Sequence, residues 1–146
     1  MNCCFIGHHD APSSLTNALS SEIERLITEK NVASFYVGNH GAFDSMALSA
    51  LKALKGKYPH IVFHVVLAYM PGEKAEYSPY NDLDTVLPEG IETVPRRFAI
   101  SYRNKWMVSK CEYMIAYVNH SFGSASQFVE LAVRQEKLVT NLAINK

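Results

Sequence analysis

Three short segments combine glycine with polar side chains of the kind that bind anions. They run from Gly7 to Asp10, from Gly38 to Asp44 and from Asn119 to Ser126. Glycine lets the backbone approach a ligand closely, and a helix N-terminus favours negative charge because the helix macrodipole is positive there. Gly123 and Ser124 stand at the start of such a predicted helix. The segments therefore predict a site for a phosphate-bearing ligand.

Each segment also contains histidine, which raises the question of a metal site. His8 and His9 lie in the first segment, His40 in the second and His120 in the third. No glutamate is interleaved with them as in the H-E-x-x-H zinc motif, and loop histidines beside an anion serve equally well as hydrogen-bond donors. We therefore expect them to bond to a ligand or to support the loops, with no metal. The G-x-G-x-x-G and G-x-x-x-x-G-K-[ST] fingerprints are absent, so no cofactor is predicted to be required.

Short apolar runs precede these segments and are predicted to be strands. Helices are predicted between the runs, because apolar residues recur there every three or four positions. Alternating strands and helices indicate a parallel sheet covered by helices, whose carboxyl edge brings the three segments together in one crevice. The predicted strands are Cys3 to Ile6, Ala33 to Val37, Ile61 to Ala68, Met114 to Val118 and Leu138 to Ile144. Asp44 is predicted to cap the helix that follows the second strand.

The pattern weakens between Tyr69 and Glu92, where turn-forming residues predominate. Only Thr85 to Leu87 and Ile91 to Val94 are predicted to be extended. A long irregular stretch in a compact domain is typical of a functional lid or a mobile excursion. Its tyrosines either stack on a nucleotide base or pack against their own loop; they are Tyr69, Tyr77 and Tyr80. Pro95 then opens a predicted helix from Arg96 to Lys110.

Length and composition predict one soluble domain spanning residues 1–146. Hydrophobic residues make up 48% of the chain and charged residues 19%, which is an ordinary globular composition. Lys plus Arg equals Asp plus Glu at 14 each, which argues against a strongly basic surface for nucleic acid. Three cysteines and the lack of a signal peptide favour reduced thiols in the cytoplasm. No stretch approaches the roughly 20 apolar residues that span a bilayer, so no membrane partner is expected.

Several motifs together resemble the YpsA-like branch of the SLOG superfamily, which comprises Rossmann-like proteins named after Smf/DprA and the lonely-guy phosphoribohydrolases. The resemblance extends over nearly the full length. The motifs that carry it are Phe5-Ile-Gly-His8, Gly38-x-x-Gly-Ala-Phe-Asp44, Lys55-x-Lys-Tyr-Pro59, Arg103-Asn-x-Trp-Met107, Phe122-Gly-Ser-Ala125 and Asn141-Leu142.

The resemblance implies a Rossmann-like three-layer α/β/α sandwich with a mainly parallel sheet of about five strands. It also implies a nucleotide or nucleotide derivative as ligand, and a homodimer. The chain departs from the relatives at His9, where they often carry arginine. Its third segment lacks the double glycine and the glutamate of the lonely-guy loop, because Glu130 lies about one helical turn too late.

Three functions remain open at this stage. The first is a binding module, a sensor for example, in which Arg103 pairs with an anionic oxygen at the carboxyl edge of the sheet. Its ligand-binding residues are Gly7, His8, His9, Gly38, Asn39, Gly41, Asp44, Arg103, Asn119, Gly123 and Ser124. Binding at loop N–H groups needs no catalytic residue, which fits the missing glutamate.

The second function is hydrolysis of the N-glycosidic bond of a nucleoside monophosphate. Such chemistry needs a carboxylate to stabilise an oxocarbenium-like transition state, which would be Asp44 or Glu130, and a phosphate anchor, which would be Arg103. The third is binding of single-stranded DNA by the dense basic stretch that contains Arg96, Arg97, Arg103, Lys105 and Lys110 beside Phe98, Tyr102 and Trp106. Zero net charge argues against this third function.

Overall fold

A parallel sheet forms the centre of the molecule. The computed structural model describes residues 1–69, 85–120 and 124–143. Within these ranges the sheet has six strands in the order β4-β3-β2-β1-β5-β6, and every neighbouring pair is parallel. The strands are β1 (Asn2–Gly7), β2 (Ser34–Val37), β3 (Val62–Val66), β4 (Thr85–Val86), β5 (Tyr113–Tyr117) and β6 (Leu138–Asn141).

Helices cover both faces of this sheet. They are α1 (Thr16–Glu29), α2 (Ala42–Lys57), α3 (Ala99–Lys110) and α4 (Ser124–Arg134). Apolar residues of α1 and α2 pack in one core cluster, and those of α3 and α4 pack in another. Strand β1 contributes Cys3 and Phe5 to the first cluster and Cys4 and Ile6 to the second, because successive side chains of a strand point to opposite faces. The predicted three-layer α/β/α sandwich is therefore confirmed.

Strands β1 and β5 are buried on both faces, as expected for central strands of a parallel sheet. They are adjacent, with Cys3 opposite Tyr113 and Gly7 opposite Tyr117. The chain builds the sheet outward from β1 through β2, β3 and β4, and then returns to add β5 and β6 on the other side. The sequence order of the strands thus reverses between β1 and β5, which is the point where open α/β sheets form a ligand crevice.

The structure differs from the predictions in three local respects. The sheet has six strands in place of about five, because Thr85–Val86 pairs with β3. The segment Ile91–Thr93 forms a 3-10 turn and is not extended, since the Thr93 N–H bonds to the carbonyl of Gly90, which has a φ of +81°. The predicted helix from Arg96 to Lys110 begins as a 3-10 turn over Arg96–Phe98 and becomes α-helical at Ala99.

The sequence predicted that Asp44 caps α2, and this prediction is wrong. The helix begins at Ala42 and its N-cap position is Gly41, so Asp44 lies within the first turn. Its carboxylate reaches back to the N–H of His40, which precedes the cap. Some residues named in the sequence predictions lie outside the described ranges, namely Tyr77, Tyr80, Gly123 and Ile144. No helix among the described residues is both long enough and apolar enough to cross a membrane.

Candidate functional site

A crevice of about 610 Å³ opens at the carboxyl edge of the sheet, at the reversal point between β1 and β5. The loops after β1, β2 and β5 contribute to its walls, together with α3 and the first residues of α4. It therefore lies where the sequence predicted a shared crevice. Six of the predicted ligand-binding residues line it, namely Gly7, His8, His9, Asp44, Arg103 and Ser124.

Arg103 is the most buried cation of the crevice, with only 3% of its surface exposed. Its Nε donates to Oδ1 of Asn104 at 3.0 Å, and its Nη1 donates to Oδ1 of Asn39 at 3.2 Å and to the carbonyl of Val66 at 3.4 Å. Its Nη2 has no hydrogen-bond partner within residues 1–69, 85–120 and 124–143. The hydrogen bonds of Nε and Nη1 thus fix the guanidinium, while Nη2 is a donor without a partner in the described part of the chain.

Asp44 is the buried carboxyl group that accompanies this arginine. It is 8% exposed, and its Oδ2 accepts a hydrogen bond of 3.0 Å from the N–H of His40. Burial raises the pKa of Asp44 to about 6, although the Arg103 charge and the His40 N–H both oppose that shift. Burial also lowers the pKa of Arg103, and Asp44 opposes that change. Each group therefore offsets part of the desolvation cost of the other.

Gly38 allows Arg103 and Asp44 to pack against the end of β2. A Cβ atom at this position would lie 2.7 Å from Nη1 of Arg103 and 2.7 Å from Oδ2 of Asp44. Both distances are below van der Waals contact, so any side chain here would displace the pair. The glycine in the second segment is therefore explained by close approach of a charged pair to the backbone.

A second glycine joins the first two loops. Gly41 has a φ of +92°, and a Cβ there would lie 2.5 Å from Cα of His9. The adjacent Ala42 N–H donates to the carbonyl of His9 at 2.7 Å. The loop after β1 is thus fixed to the start of α2, and this contact places His9 at the rim of the crevice.

His8 connects the first loop to the loop after β5. Its Nε2 accepts a hydrogen bond of 3.1 Å from the N–H of Asn119, and its ring stacks on His120 with 3.9 Å between centroids. Burial and the neighbouring His120 lower the pKa of His8. The acceptor role requires an unprotonated Nε2, so a neutral His8 carries its proton on Nδ1. Because this hydrogen bond engages the Asn119 N–H, that group supports the loop and is not left to bind a ligand.

The remaining predicted site residues occupy other positions. Glu130 is exposed on α4 and does not line the crevice. It lies six residues beyond Ser124, the first residue of α4, so it is about 9 Å further along the helix axis. Within the described ranges, no group of three or more His, Cys, Asp or Glu residues is placed to hold a metal ion.

The aromatic and basic residues that suggested a base or DNA contact are divided between several environments. The Tyr69 ring packs against the guanidinium of Arg96 at 4.2 Å and the ring of His40 at 5.9 Å, and it does not line the crevice. Arg103 belongs to the buried crevice, whereas Arg97 and Lys105 are exposed. The basic stretch of the sequence is therefore divided between the crevice, which contains Arg103, and the exposed surface.

Sequence reasoning missed Asn104 and Ile100, which line the crevice from α3. Asn104 is 8% exposed, and its side-chain oxygen orients Arg103. The signal that could have revealed it was the uncommon pair of an arginine and an asparagine on the apolar side of a predicted helix. Ile100 carried no such signal, because an apolar residue of a helix is equally suited to the core.

A parallel sheet with helices on both faces and a crevice at the reversal of strand order defines a Rossmann-like α/β protein. The chain superposes on the X-ray structure of DNA processing protein A (DprA) from Streptococcus pneumoniae with a TM-score of 0.67 and 16% sequence identity. The alignment covers 94% of this chain and 48% of that chain, so the chain spans about half the length of the matched structure. This likeness confirms the predicted fold. No protein-family model and no curated protein matches the sequence.

Substitution by alanine should have opposite effects on the free energy of unfolding at Gly38 and at Gly56. Gly38→Ala should lower the free energy of unfolding by about 1–3 kcal/mol, because the new methyl group overlaps Arg103 and Asp44. Gly56→Ala in α2, where a Cβ would meet no atom within 4 Å, should raise it by about 0.5–1 kcal/mol. Urea denaturation measures both values, and equal effects of the two substitutions would contradict the close approach.

The buried carboxyl group predicts a pH-dependent stability difference between the wild type and Asp44→Asn. Folding raises the pKa of Asp44 from 3.8 to about 6, so the folded state favours the neutral acid. The stability that this preference contributes is lost as the pH rises through that interval. Relative to Asp44→Asn, the wild type should lose about 2 kcal/mol of unfolding free energy between about pH 4.5 and 7.5. Urea denaturation at both pH values gives the difference, and exposed Glu130→Gln serves as the control. A difference independent of pH would show that Asp44 is not buried as described.

Proposed function

We propose that the crevice binds the phosphate group of a nucleotide or nucleotide-derived small molecule, as a binding or sensor module. The observation that carries this proposal is the buried Arg103, whose Nε and Nη1 are engaged by the protein while Nη2 has no partner among the described residues. A guanidinium held in this way offers a directed donor to a phosphate oxygen at little cost in side-chain entropy.

Two further features support an anionic ligand. The first residues of α4, Ser124 and Ala125, line the crevice, so the positive end of the macrodipole of this 11-residue helix faces the bound group. The crevice volume of about 610 Å³ falls within the range typical of small-molecule sites. An anion beside Arg103 also favours protonation of Asp44, which would remove the competing negative charge.

We also propose the family relationship that the sequence motifs suggest. We assign the chain to the YpsA-like branch of the SLOG superfamily, and we expect a cytoplasmic homodimer. Support comes from the positions of the motif residues. The glycine of Phe5-Ile-Gly-His8, Asp44 of the second motif and Arg103 of the fourth all line the same crevice.

A second candidate function is hydrolysis of the N-glycosidic bond of a nucleoside monophosphate. The observation that favours it is Asp44, a crevice carboxyl group with a pKa of about 6, which suits a group that exchanges protons near neutral pH. In this reaction water adds to the anomeric carbon, the carbon–nitrogen bond breaks, and the base leaves with a proton. Glu130 takes no part in this version because it lies outside the crevice.

The test is isothermal titration against a panel of nucleoside monophosphates, nucleotide sugars and an oligothymidine. We expect micromolar binding of a phosphate-bearing nucleotide that weakens about tenfold to hundredfold in Arg103→Ala, because a charge-assisted hydrogen bond is lost. Arg103→Lys keeps the charge but not the planar fork, and it should weaken binding less. The matched control is Arg97→Ala, which removes an exposed arginine outside the crevice and should leave the affinity unchanged.

Incubation of the protein with the same nucleotides decides between the binding module and the hydrolase. Chromatographic detection of free base, lost in Asp44→Asn, would establish the hydrolase, whereas binding without release would establish the module. Absence of binding throughout the panel, together with a native preparation that carries no co-purified small molecule by mass spectrometry, would overturn the proposal. Tighter binding of the oligothymidine than of any nucleotide would favour the DNA-binding alternative in its place.

A further inference from the structure

We propose that the groove between α3 and α4 is a docking site for an acidic amphipathic helix of a partner protein. This groove lies outside the crevice and has a volume of about 510 Å³. We call it the helix groove and define it by six of its lining residues, namely Phe98, Tyr102, Lys105, Gln127, Leu131 and Arg134.

Helices α3 and α4 form the two walls of the helix groove. Helix α4 contributes Gln127, Leu131 and Arg134, which recur at intervals of four and three and therefore lie along one face of the helix. These positions span about 10 Å of helix axis, or two turns. Helix α3 forms the opposite wall through Tyr102 and Lys105. A groove between two helices is the shape that accepts a third amphipathic helix.

The helix groove combines apolar surface with positive charge. Phe98 is 51% exposed, and Leu131 and Phe128 extend the apolar surface beneath it. Lys105 and Arg134 line the groove, and no carboxylate of the described ranges does. A partner with leucine or phenylalanine on one face and glutamate or aspartate at its borders complements both properties.

The cations around the helix groove are available to a partner. Arg97 lies over the exposed ring of Phe98, with 4.8 Å between its guanidinium carbon and the ring centroid. Across residues 1–69, 85–120 and 124–143, neither Arg97, Lys105 nor Arg134 forms an ion pair. Among the described residues, no carboxylate therefore neutralises the positive charge of the groove at contact distance.

An acidic helix fits this surface better than nucleic acid or the described surface of a second copy of the chain. Nucleic acid requires a row of cations that follows the phosphates, whereas here two cations border an apolar floor. Self-docking would require an acidic helix with exposed apolar residues. The other large hydrophobic residues exposed in the described part of the chain are Met1, Val62, Val133 and Leu138, and among them only Val133 is on a helix, α4 itself.

The helix groove and the crevice use different faces of the same helix. Arg103 lines the crevice, while Tyr102 and Lys105 line the groove. Tyr102 is held by a hydrogen bond from its hydroxyl to the carbonyl of Glu89. Substitution of the groove cations therefore leaves the contacts of Arg103 intact, so that failure of the docking proposal is distinguishable from failure of the proposed nucleotide site.

The test measures binding of a fluorescein-labelled peptide of roughly 18 residues, or five helical turns, with leucines on one helical face and glutamates and alanines elsewhere. Fluorescence anisotropy should give micromolar affinity for this peptide and much weaker binding of a peptide with the same composition in scrambled order. Lys105→Glu/Arg134→Glu should weaken binding at least about tenfold because attraction becomes repulsion. Phe98→Ser should weaken it by about tenfold through loss of apolar contact.

The matched control is Lys30→Glu/Lys52→Glu, which changes the net charge equally at exposed positions outside the groove. It should retain wild-type affinity within about twofold, since distant surface charges are screened by salt. Lack of binding by the designed peptide, equal binding of the scrambled peptide, or an unchanged affinity in the groove variant would overturn the proposal. Tighter binding of an oligothymidine, or self-association abolished by the groove variant, would also overturn it in favour of those occupants.

Discussion

The burial of one arginine is the constraint around which the carboxyl edge of this protein is arranged. Taking a guanidinium out of water is costly unless its donors are satisfied and its charge is balanced. Arg103 meets this requirement in part: Asn104, Asn39 and the carbonyl of Val66 accept from its Nε and Nη1, while the nearby Asp44 supplies negative charge. These partners come from α3, from the loop after β2, from the end of β3 and from the first turn of α2. Arg103 therefore forms hydrogen bonds with three of these elements, and its charge interacts with Asp44 of the fourth.

The loops around Arg103 depend on each other in the same way. Gly38 must lack a side chain so that the charged pair can approach β2, and Gly41 must adopt positive φ so that the loop after β1 can pack against it. His8 then links that loop to the one after β5 by accepting a backbone hydrogen bond. The glycines and histidines that suggested ligand contacts therefore serve largely to join the loops. What is left for a ligand is the crevice that they surround. Its walls include the N-terminus of α4 and Nη2 of Arg103, a donor without a partner in the described part of the chain.

The fold could be predicted from the sequence because its signals are local. Continuous apolar runs mark central parallel strands, and three- and four-residue spacing marks the helices between them. The sequence was less informative about individual side chains. Asp44 looked like a helix cap, but α2 begins two residues earlier, at Ala42, and the pKa of the Asp44 carboxyl group depends on its burial and on Arg103, 59 positions later. Glu130 was a weak candidate for a catalytic carboxylate because it lies about one helical turn beyond the position of the family's glutamate, and in the structure it does not line the crevice. Strand β4 was predicted only as an extended fragment, because a two-residue strand carries almost no periodicity.

We propose that Arg103 and the start of α4 form one anion site at the junction of β1 and β5. The most direct measurement is a crystal structure of the protein soaked in tungstate, a phosphate mimic whose anomalous scattering identifies it without ambiguity. We expect a tungstate ion in the crevice, within hydrogen-bond distance of Nη2 of Arg103, and its loss from crystals of Arg103→Ala. Tungstate bound only at exposed lysines and arginines, with the crevice empty, would contradict it.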